Sequence, residues 1–116
     1  NAATIDSIVL GANTTYNVDA KVFAASGGST TEVTAEILTE NNEHLFCFVA
    51  SGAALTVTLT DSDGTFPVGL SSRWRTGSTG SGSIRVSLKH QPDGTKDGSC
   101  TPGETDVEID FPVLIQ

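Results

Sequence analysis

The sequence predicts an all-β fold, an antiparallel β-sandwich of about seven to eight strands in an immunoglobulin-like or jelly-roll Greek-key arrangement. Several short stretches alternate apolar and polar residues, which is the period of a strand with one buried face. Turn-forming Gly, Asn and Asp residues separate these stretches at intervals of about 8–12 residues, as in sandwich proteins. The 116 residues suffice for one core but not for two, so we expect a single domain over residues 1–116.

The closing stretch, residues 105–116, gives the clearest strand signal. Pro112 lies within it and has no N–H, so the strand should lie at a sheet edge or carry a bulge there. An unpaired edge is a place where another chain can add a strand. Exchange of a terminal strand between copies is therefore expected to involve the alternating apolar residues at either end of the chain: Ile5, Ile8, Leu10, Val107, Ile109, Phe111, Val113 and Ile115.

The other expected strands are shorter and are separated by turns. They cover residues 4–10, 16–24, 44–50, 55–59, 66–70 and 84–89, with loops at 77–82 and 91–104. The run 44–50 is apolar on both faces, which predicts a central strand, and a hairpin with 55–59 is expected.

Residues 31–40 fit two structures. Alternation of Val33, Ala35 and Ile37 with polar residues favours a strand. A capping box from Ser29 to Glu32, with Val33 and Ile37 one helical turn apart, is the helical alternative. Because Thr and Val favour strands, we predict a strand.

The net charge of −8 argues against nucleic acid or an anionic membrane surface as a partner. No apolar run approaches the roughly 18 residues that would span a bilayer. Residues 71–96 hold five of the six Lys and Arg residues and a single acid, Asp93. This separation indicates either an ordinary solvated surface or complementary zones through which identical copies meet.

Two cysteines, Cys47 and Cys100, allow only one internal pairing. A bond between them would pin the Gly-rich loop of Cys100 to a strand, and two unpaired thiols are the alternative. Asn1 in place of Met suggests either that a signal or leader peptide has been removed or that the sequence starts at an engineered boundary. Together these observations predict a secreted or surface-exposed protein, because disulfides persist in oxidising compartments.

Residues that could carry catalysis or bind a metal are few. The only histidines are His44 and His90, and no catalytic motif or zinc-ligand spacing is present, so we predict neither enzymatic activity nor a cofactor. Asp61 and Asp63 before Gly64 resemble the start of a calcium loop, but no acid follows at the required distance. A second group of acids, which is also only a weak calcium candidate, comprises Asp93, Asp97, Glu104 and Asp106.

Trp74 is the lone tryptophan and stands between Arg73 and Arg75. If exposed, these three residues would form a contact surface for a glycan or a protein. Strand alternation instead predicts a buried Trp74 with both arginines in solvent, and we favour this interpretation. Our preferred interpretation is an extracellular structural subunit that assembles with copies of itself into a filament or pilus-like polymer. The alternatives are a carbohydrate-binding or adhesin-like module using the Trp74 loop, with a glycan or cell surface as partner, or a capsid-decorating protein.

Overall fold

Nine strands and two short helical segments make up the regular structure of a computed structural model, which describes residues 5–116. Their bounds in chain order are β1 (Ile8–Leu10), β2 (Thr15–Asp19), β3 (Phe23–Ser26), β4 (Ser29–Glu32), α1 (Thr34–Thr39), a 3₁₀ turn (Asn41–Glu43), β5 (His44–Ser51), β6 (Leu55–Leu59), β7 (Ser71–Thr76), β8 (Gly80–His90) and β9 (Glu104–Ile115). The predicted all-β sandwich is confirmed. The additional strand arises because the hairpin β3–β4 forms a small sheet of its own.

The sandwich consists of a four-stranded sheet, in the order β1-β9-β8-β5, and a three-stranded sheet, in the order β2-β7-β6. All pairs are antiparallel except β1 with β9, which run parallel over three residues each. The longest pairing joins β8 and β9, with one bulge between Leu88 and Lys89. The predicted closing strand is therefore present, and its bulge lies away from Pro112.

Two clusters of buried side chains form the core between the sheets. One cluster contains Ile37, Phe46, Val68, Leu70 and Leu88, and the other contains Trp74, Ile84, Val113 and Ile115. Phe48 and Val86 pack against both clusters but are themselves only partly buried. Phe48 meets Trp74 edge to face, with ring centroids 6.0 Å apart. The core is therefore continuous, but it is incompletely covered at Phe48 and Val86.

The predicted disulfide between Cys47 and Cys100 is confirmed, with Cα atoms 6.3 Å apart. It ties the loop of residues 91–103 to the outer face of β5. Gln91, which is fully buried, holds the same loop by donating from Nε2 to the carbonyl oxygens of Ser99 and Pro102, each at 3.0 Å. The loop thereby acts as a fixed cover over one end of the four-stranded sheet.

The strand predicted over residues 31–40 is wrong for most of that range, because residues 34–39 form the helix α1. A single helical turn brings Ile37 into the core, where it is 6% exposed, and this tertiary contact outweighs the strand preference of Thr and Val. The capping box is also absent, since Ser29 lies in β4 and Val33 precedes the helix without a side-chain cap.

The run 44–50 is a strand, but it is not central in its sheet. It pairs only with β8 and forms the edge of the four-stranded sheet, so the hairpin predicted with 55–59 is wrong. Its double-sided apolar pattern has another cause, because Leu45 and Cys47 are buried on the face that the disulfide-tethered loop covers. The strand expected at 66–70 is reduced to an isolated bridge between Ser62 and Pro67.

Candidate functional site

The candidate site is the edge of β9 that faces away from β8. Along this edge β1 pairs only with residues Val113 to Ile115. Within residues 5–116, no strand pairs with the remaining edge of β9, from Glu104 to Pro112. At about 3.3 Å per residue, these nine residues leave roughly 30 Å of strand edge without a partner.

Backbone hydrogen bonds at Gln116 determine which groups this edge presents. The N–H of Gln116 donates to Leu10 O at 2.9 Å, and its carbonyl accepts from the Ala12 N–H at 3.1 Å. Because backbone groups alternate sides along a strand, those of Pro112, Asp110 and Glu108 also point away from β8. Pro112 presents only a carbonyl, as predicted for a proline at a sheet edge. Asp110 and Glu108 each present both a donor and an acceptor.

A groove of about 360 Å³ lies beside this edge, between the two sheets. One wall is the inward face of β9, formed by Val107, Ile109 and Phe111. The other wall is the segment of residues 18–23, which leaves β2 and leads into β3. Ile8 of β1 closes one end. We call this feature the β9 groove.

The floor of the β9 groove is the incompletely covered part of the core. It is formed by core residues of both sheets, namely Phe46, Phe48, Trp74, Val86 and Leu88. Among the described residues, the charged ones that line the groove are Asp19 and Lys21, on the wall opposite β9. A sandwich normally covers such a floor with the side chains of one more strand.

Val107 and Ile109 differ from the other inward residues of β9. Val113 and Ile115 are 2% and 1% exposed and belong to the core, and Phe111 packs against it. Val107 is 40% exposed, and neither it nor Ile109 belongs to either core cluster. These two side chains therefore continue the apolar face of β9 into the open groove, where they are available to a partner.

The N-terminal residues predicted for strand exchange divide in a similar way. Ile8 and Leu10 pack against the core of their own chain. Ile5 precedes β1 outside any strand and is 45% exposed. Residues 2–4 of the expected donor segment lie outside the described residues. Of these three predicted residues, Ile5 is thus the one that does not pack against the core of its own chain.

Trp74 is 4% exposed, and its indole N–H donates to Ser72 Oγ at 2.9 Å inside the core. Its ring is therefore turned inward, as strand alternation predicts, and is not on the surface where a ligand would contact it. Arg73 and Arg75 point outward on the same strand, and neither forms an ion pair within residues 5–116. The three residues are not brought together as a single contact surface.

The two acids of the calcium alternative are held by protein donors. Asp61 accepts from the N–H groups of Gly69 and Ser71, at 2.7 and 3.2 Å. Asp63 accepts from the N–H groups of Thr65 and Phe66, each at 2.8 Å. Among residues 5–116 no group of three or more His, Cys, Asp or Glu side chains is placed to hold a metal ion. The second group of acids, from Asp93 to Asp106, therefore does not form such a group among these residues either.

A buried ion pair joins Asp63 to Lys96. The Nζ atom of Lys96 lies 2.9 Å from Asp63 Oδ2 and 2.8 Å from the carbonyl oxygen of Asn41, and both charged side chains are less than 5% exposed. Burial alone would raise the pKa of Asp63, but the hydrogen bonds from the Phe66 N–H, from Lys96 and from the Thr65 N–H outweigh it and lower that pKa from 3.8 to about 2. The pair thus fastens the loop of residues 91–103 to the turn at residues 61–66.

The two histidines are cross-strand neighbours at one end of the four-stranded sheet. The rings of His44 and His90 stack with centroids 5.1 Å apart, and His44 Nδ1 lies 3.0 Å from the carbonyl oxygen of Glu40. Cys47 is in the disulfide and has no thiol to pair with either ring. The pair packs at the end of the sheet, and residues 5–116 contain no free thiol.

The sequence identified one side of the groove and missed the other. Residues 18–23 were expected to continue a single strand over residues 16–24, but only residues 15–19 pair in the sheet. Isolated bonds hold the rest, from the Ala20 N–H to Leu70 O and from the Val33 N–H to Val22 O, each at 2.8 Å. No turn signal at these positions could have revealed the break.

No helix in the described part of the chain is long and apolar enough to cross a membrane. No family model, curated protein or solved structure matches this chain.

Proposed function

We propose that this protein is an extracellular structural subunit that polymerises when an extended segment of one copy fills the β9 groove of the next. The observation that carries the proposal is the coincidence of an unpaired strand edge with an uncovered core beside it. A strand added there would bond to the free backbone groups of Glu108 and Asp110. Its inward side chains would cover Val107, Ile109 and Phe48.

The occupant in this proposal is the N-terminal segment around Ile5 of a second copy. Residues 5–7, the described part of this segment before β1, lie outside any strand, and Ile5 has an exposed apolar side chain. The C-terminal strand is the less suitable donor, because β9 pairs along its whole length with β8 and its end lies in the core. In this scheme β9 therefore accepts a strand and does not leave its own sheet.

The confirmed disulfide supports an oxidising location, as for proteins exported to the cell surface or medium. A disulfide and a tethered loop also suit a subunit that must persist outside the cell. The glycan-binding alternative loses its aromatic contact residue, since Trp74 is buried. A capsid-decorating role would use the same groove, and electron micrographs of purified material would distinguish it from a filament.

The test compares two lysine substitutions on the same sheet. Ile109→Lys places a charge in the groove, whereas Val9→Lys places one on the outer face, where Val9 is 53% exposed. Size-exclusion chromatography and electron microscopy should show assemblies for the wild type and for Val9→Lys, but monomers for Ile109→Lys. Normal assembly of a folded Ile109→Lys variant would refute the proposal.

The donor is tested separately by cross-linking. Two populations of protein, one carrying Ile5→Cys and the other Ile109→Cys, are mixed and treated with a short bifunctional thiol reagent. A product that contains one molecule of each population is expected. Assembly without that product would show that the donor is a different segment.

A further inference from the structure

The parallel pairing of β1 with β9 stops before it reaches the groove, although residues 5–7 precede β1 in the chain. Ile8 lies opposite Val113. In the same register Ser7 would lie opposite Pro112, and Asp6 opposite Phe111. Residues 5–7 are instead exposed and outside any strand. We propose that Asp6 and Pro112 prevent the chain's own N-terminal segment from closing the β9 groove, and so keep it free for another copy.

The side-chain pattern explains the role of Asp6. Ile8 and Leu10 face the core, whereas Val9 between them is 53% exposed. Alternation therefore places residue 6 on the inward side, with Ile8. In the register of β1, its carboxylate would enter an apolar groove against Phe111, where burial without a partner is costly. Within residues 5–116, Lys21 is the one cation that lines the groove, and it shares the facing wall with Asp19, so that wall offers no net positive charge.

The backbone pattern explains the role of Pro112. The bonds of Gln116 to Leu10 and Ala12 show that the backbone N–H and C=O groups of even-numbered residues of β9 point towards β1 and the continuation of its line. In a continued ladder the N–H of residue 112 would donate to the carbonyl of Asp6, and proline has no N–H. Side chain and backbone therefore oppose extension at the same step.

A segment from another copy need not meet either restriction. It can pair with Asp110 and Glu108 without extending past Pro112, whose missing N–H would oppose any added strand. Its register is not fixed by a covalent link to the β1 strand of the acceptor, so it can shift by one residue. That shift turns Asp6 outward and directs Ile5 into the groove. Asp6 thus disfavours closure within one chain while leaving insertion between chains open, which is the part of this inference that rests on the proposed function.

The test uses Asp6→Val with Ser7→Val as its matched control. Both substitutions add the same side chain, but residue 7 would face outward in an extended β1. Hydrogen exchange is followed at the Glu108 and Asp110 amides of dilute, monomeric protein. A valine buried in the groove should slow exchange at both amides by roughly tenfold or more in Asp6→Val, and Ser7→Val should match the wild type. The double variant Asp6→Val with Pro112→Thr should slow it further.

Assembly of the same variants is measured at high concentration. Slowed exchange together with lost assembly in Asp6→Val supports the inference. Exchange at the wild-type rate in both the single and the double variant overturns it. Slowed exchange with undiminished assembly overturns the competition between the two segments. If the wild type itself does not assemble, slowed exchange in Asp6→Val still establishes the role of Asp6, while the proposed function fails.

Discussion

Replacing Asp63 with Asn tests how much the buried pair with Lys96 stabilises the fold. The asparagine amide can still accept from the Thr65 and Phe66 N–H groups, but its own NH₂ group would then face the Lys96 ammonium. Lys96 would keep only the carbonyl of Asn41 as an acceptor, at a site where its side chain is 2% exposed. A buried charge without its counter-ion is strongly destabilising.

Breaking a buried ion pair from one side costs about 3–5 kcal/mol. The unfolding entropy of a 116-residue chain is about 0.24 kcal/mol/K, so the midpoint of thermal unfolding should fall by about 12–20 °C. Lys96→Met should cost less, because Asp63 retains its two backbone donors. The double variant should recover most of the loss, since neither charge is then buried alone.

Thermal unfolding followed by circular dichroism at pH 7 measures these values. An Asp63→Asn variant within about 1 kcal/mol of the wild type would refute the argument that the charge is buried and paired. A double variant as unstable as Asp63→Asn would do the same, because the damage would then not come from the unpaired ammonium.

The pH dependence provides a second measurement on the same variants. The pKa of Asp63 is about 2 in the folded protein against 3.8 ordinarily, so folding favours the ionised carboxylate. This contribution is present in full above about pH 4 and is lost as the pH falls towards 2. It amounts to about 2 kcal/mol in the wild type and should be missing from the acid limb of Asp63→Asn.

Two further predictions concern the covalent and steric restraints of the four-stranded sheet. Reduction of the Cys47–Cys100 bond, which closes a loop of 53 residues, should lower the free energy of unfolding by about 4 kcal/mol, measured by urea titration with and without reductant; an unchanged midpoint would contradict this. Gly82→Ala should destabilise the protein by more than the about 0.5–1 kcal/mol that is usual for a single substitution, because a Cβ at residue 82 would collide with the Ser51 carbonyl oxygen and the Ala53 amide nitrogen. Gly80→Ala, where the space is open, is the control, and equal losses would disprove the steric cause.

The strands that could be predicted from the sequence are those with one buried and one solvent-exposed face. In β6 the residues from Leu55 to Leu59 alternate between half-buried and exposed, as their pattern predicts. The apolar positions of β9 likewise face inward. For such strands, local pattern and tertiary environment carry the same information, so a pattern of period two is sufficient.

The elements that were predicted wrongly depend on contacts distant in sequence. Residues 34–39 form a helical turn because this conformation buries Ile37 in the core cluster with Phe46 and Leu88. Leu45 and Cys47 look like residues of a central strand because a loop some 50 residues later covers them. Periodicity shows that a face is buried, but it does not show what buries it.

The candidate site was predictable only as one strand. Its apolar face and Pro112 are visible in the sequence, and both mark an edge. The opposite wall, the uncovered floor and the stop at Asp6 appear only when β1 and β9 are placed in register. An acid such as Asp6 before an apolar run is common in sequences. Its proposed role depends on Phe111, which it would face if β1 were extended in register.

The acidic character of the β9 edge bears on the symmetry of any assembly. If two copies met edge to edge, each β9 would place Glu108 and Asp110 beside the same residues of its partner. Only Asp110 is neutralised by an ion pair within its own chain, with Arg85 at 2.8 Å. Pro112 would also interrupt both ladders, and like charges on neighbouring strands are destabilising. A closed twofold dimer through β9 is therefore disfavoured. In the proposed scheme, insertion of a different segment would leave each copy with one filled groove and one donor, and such a heterologous contact would propagate into a chain of subunits.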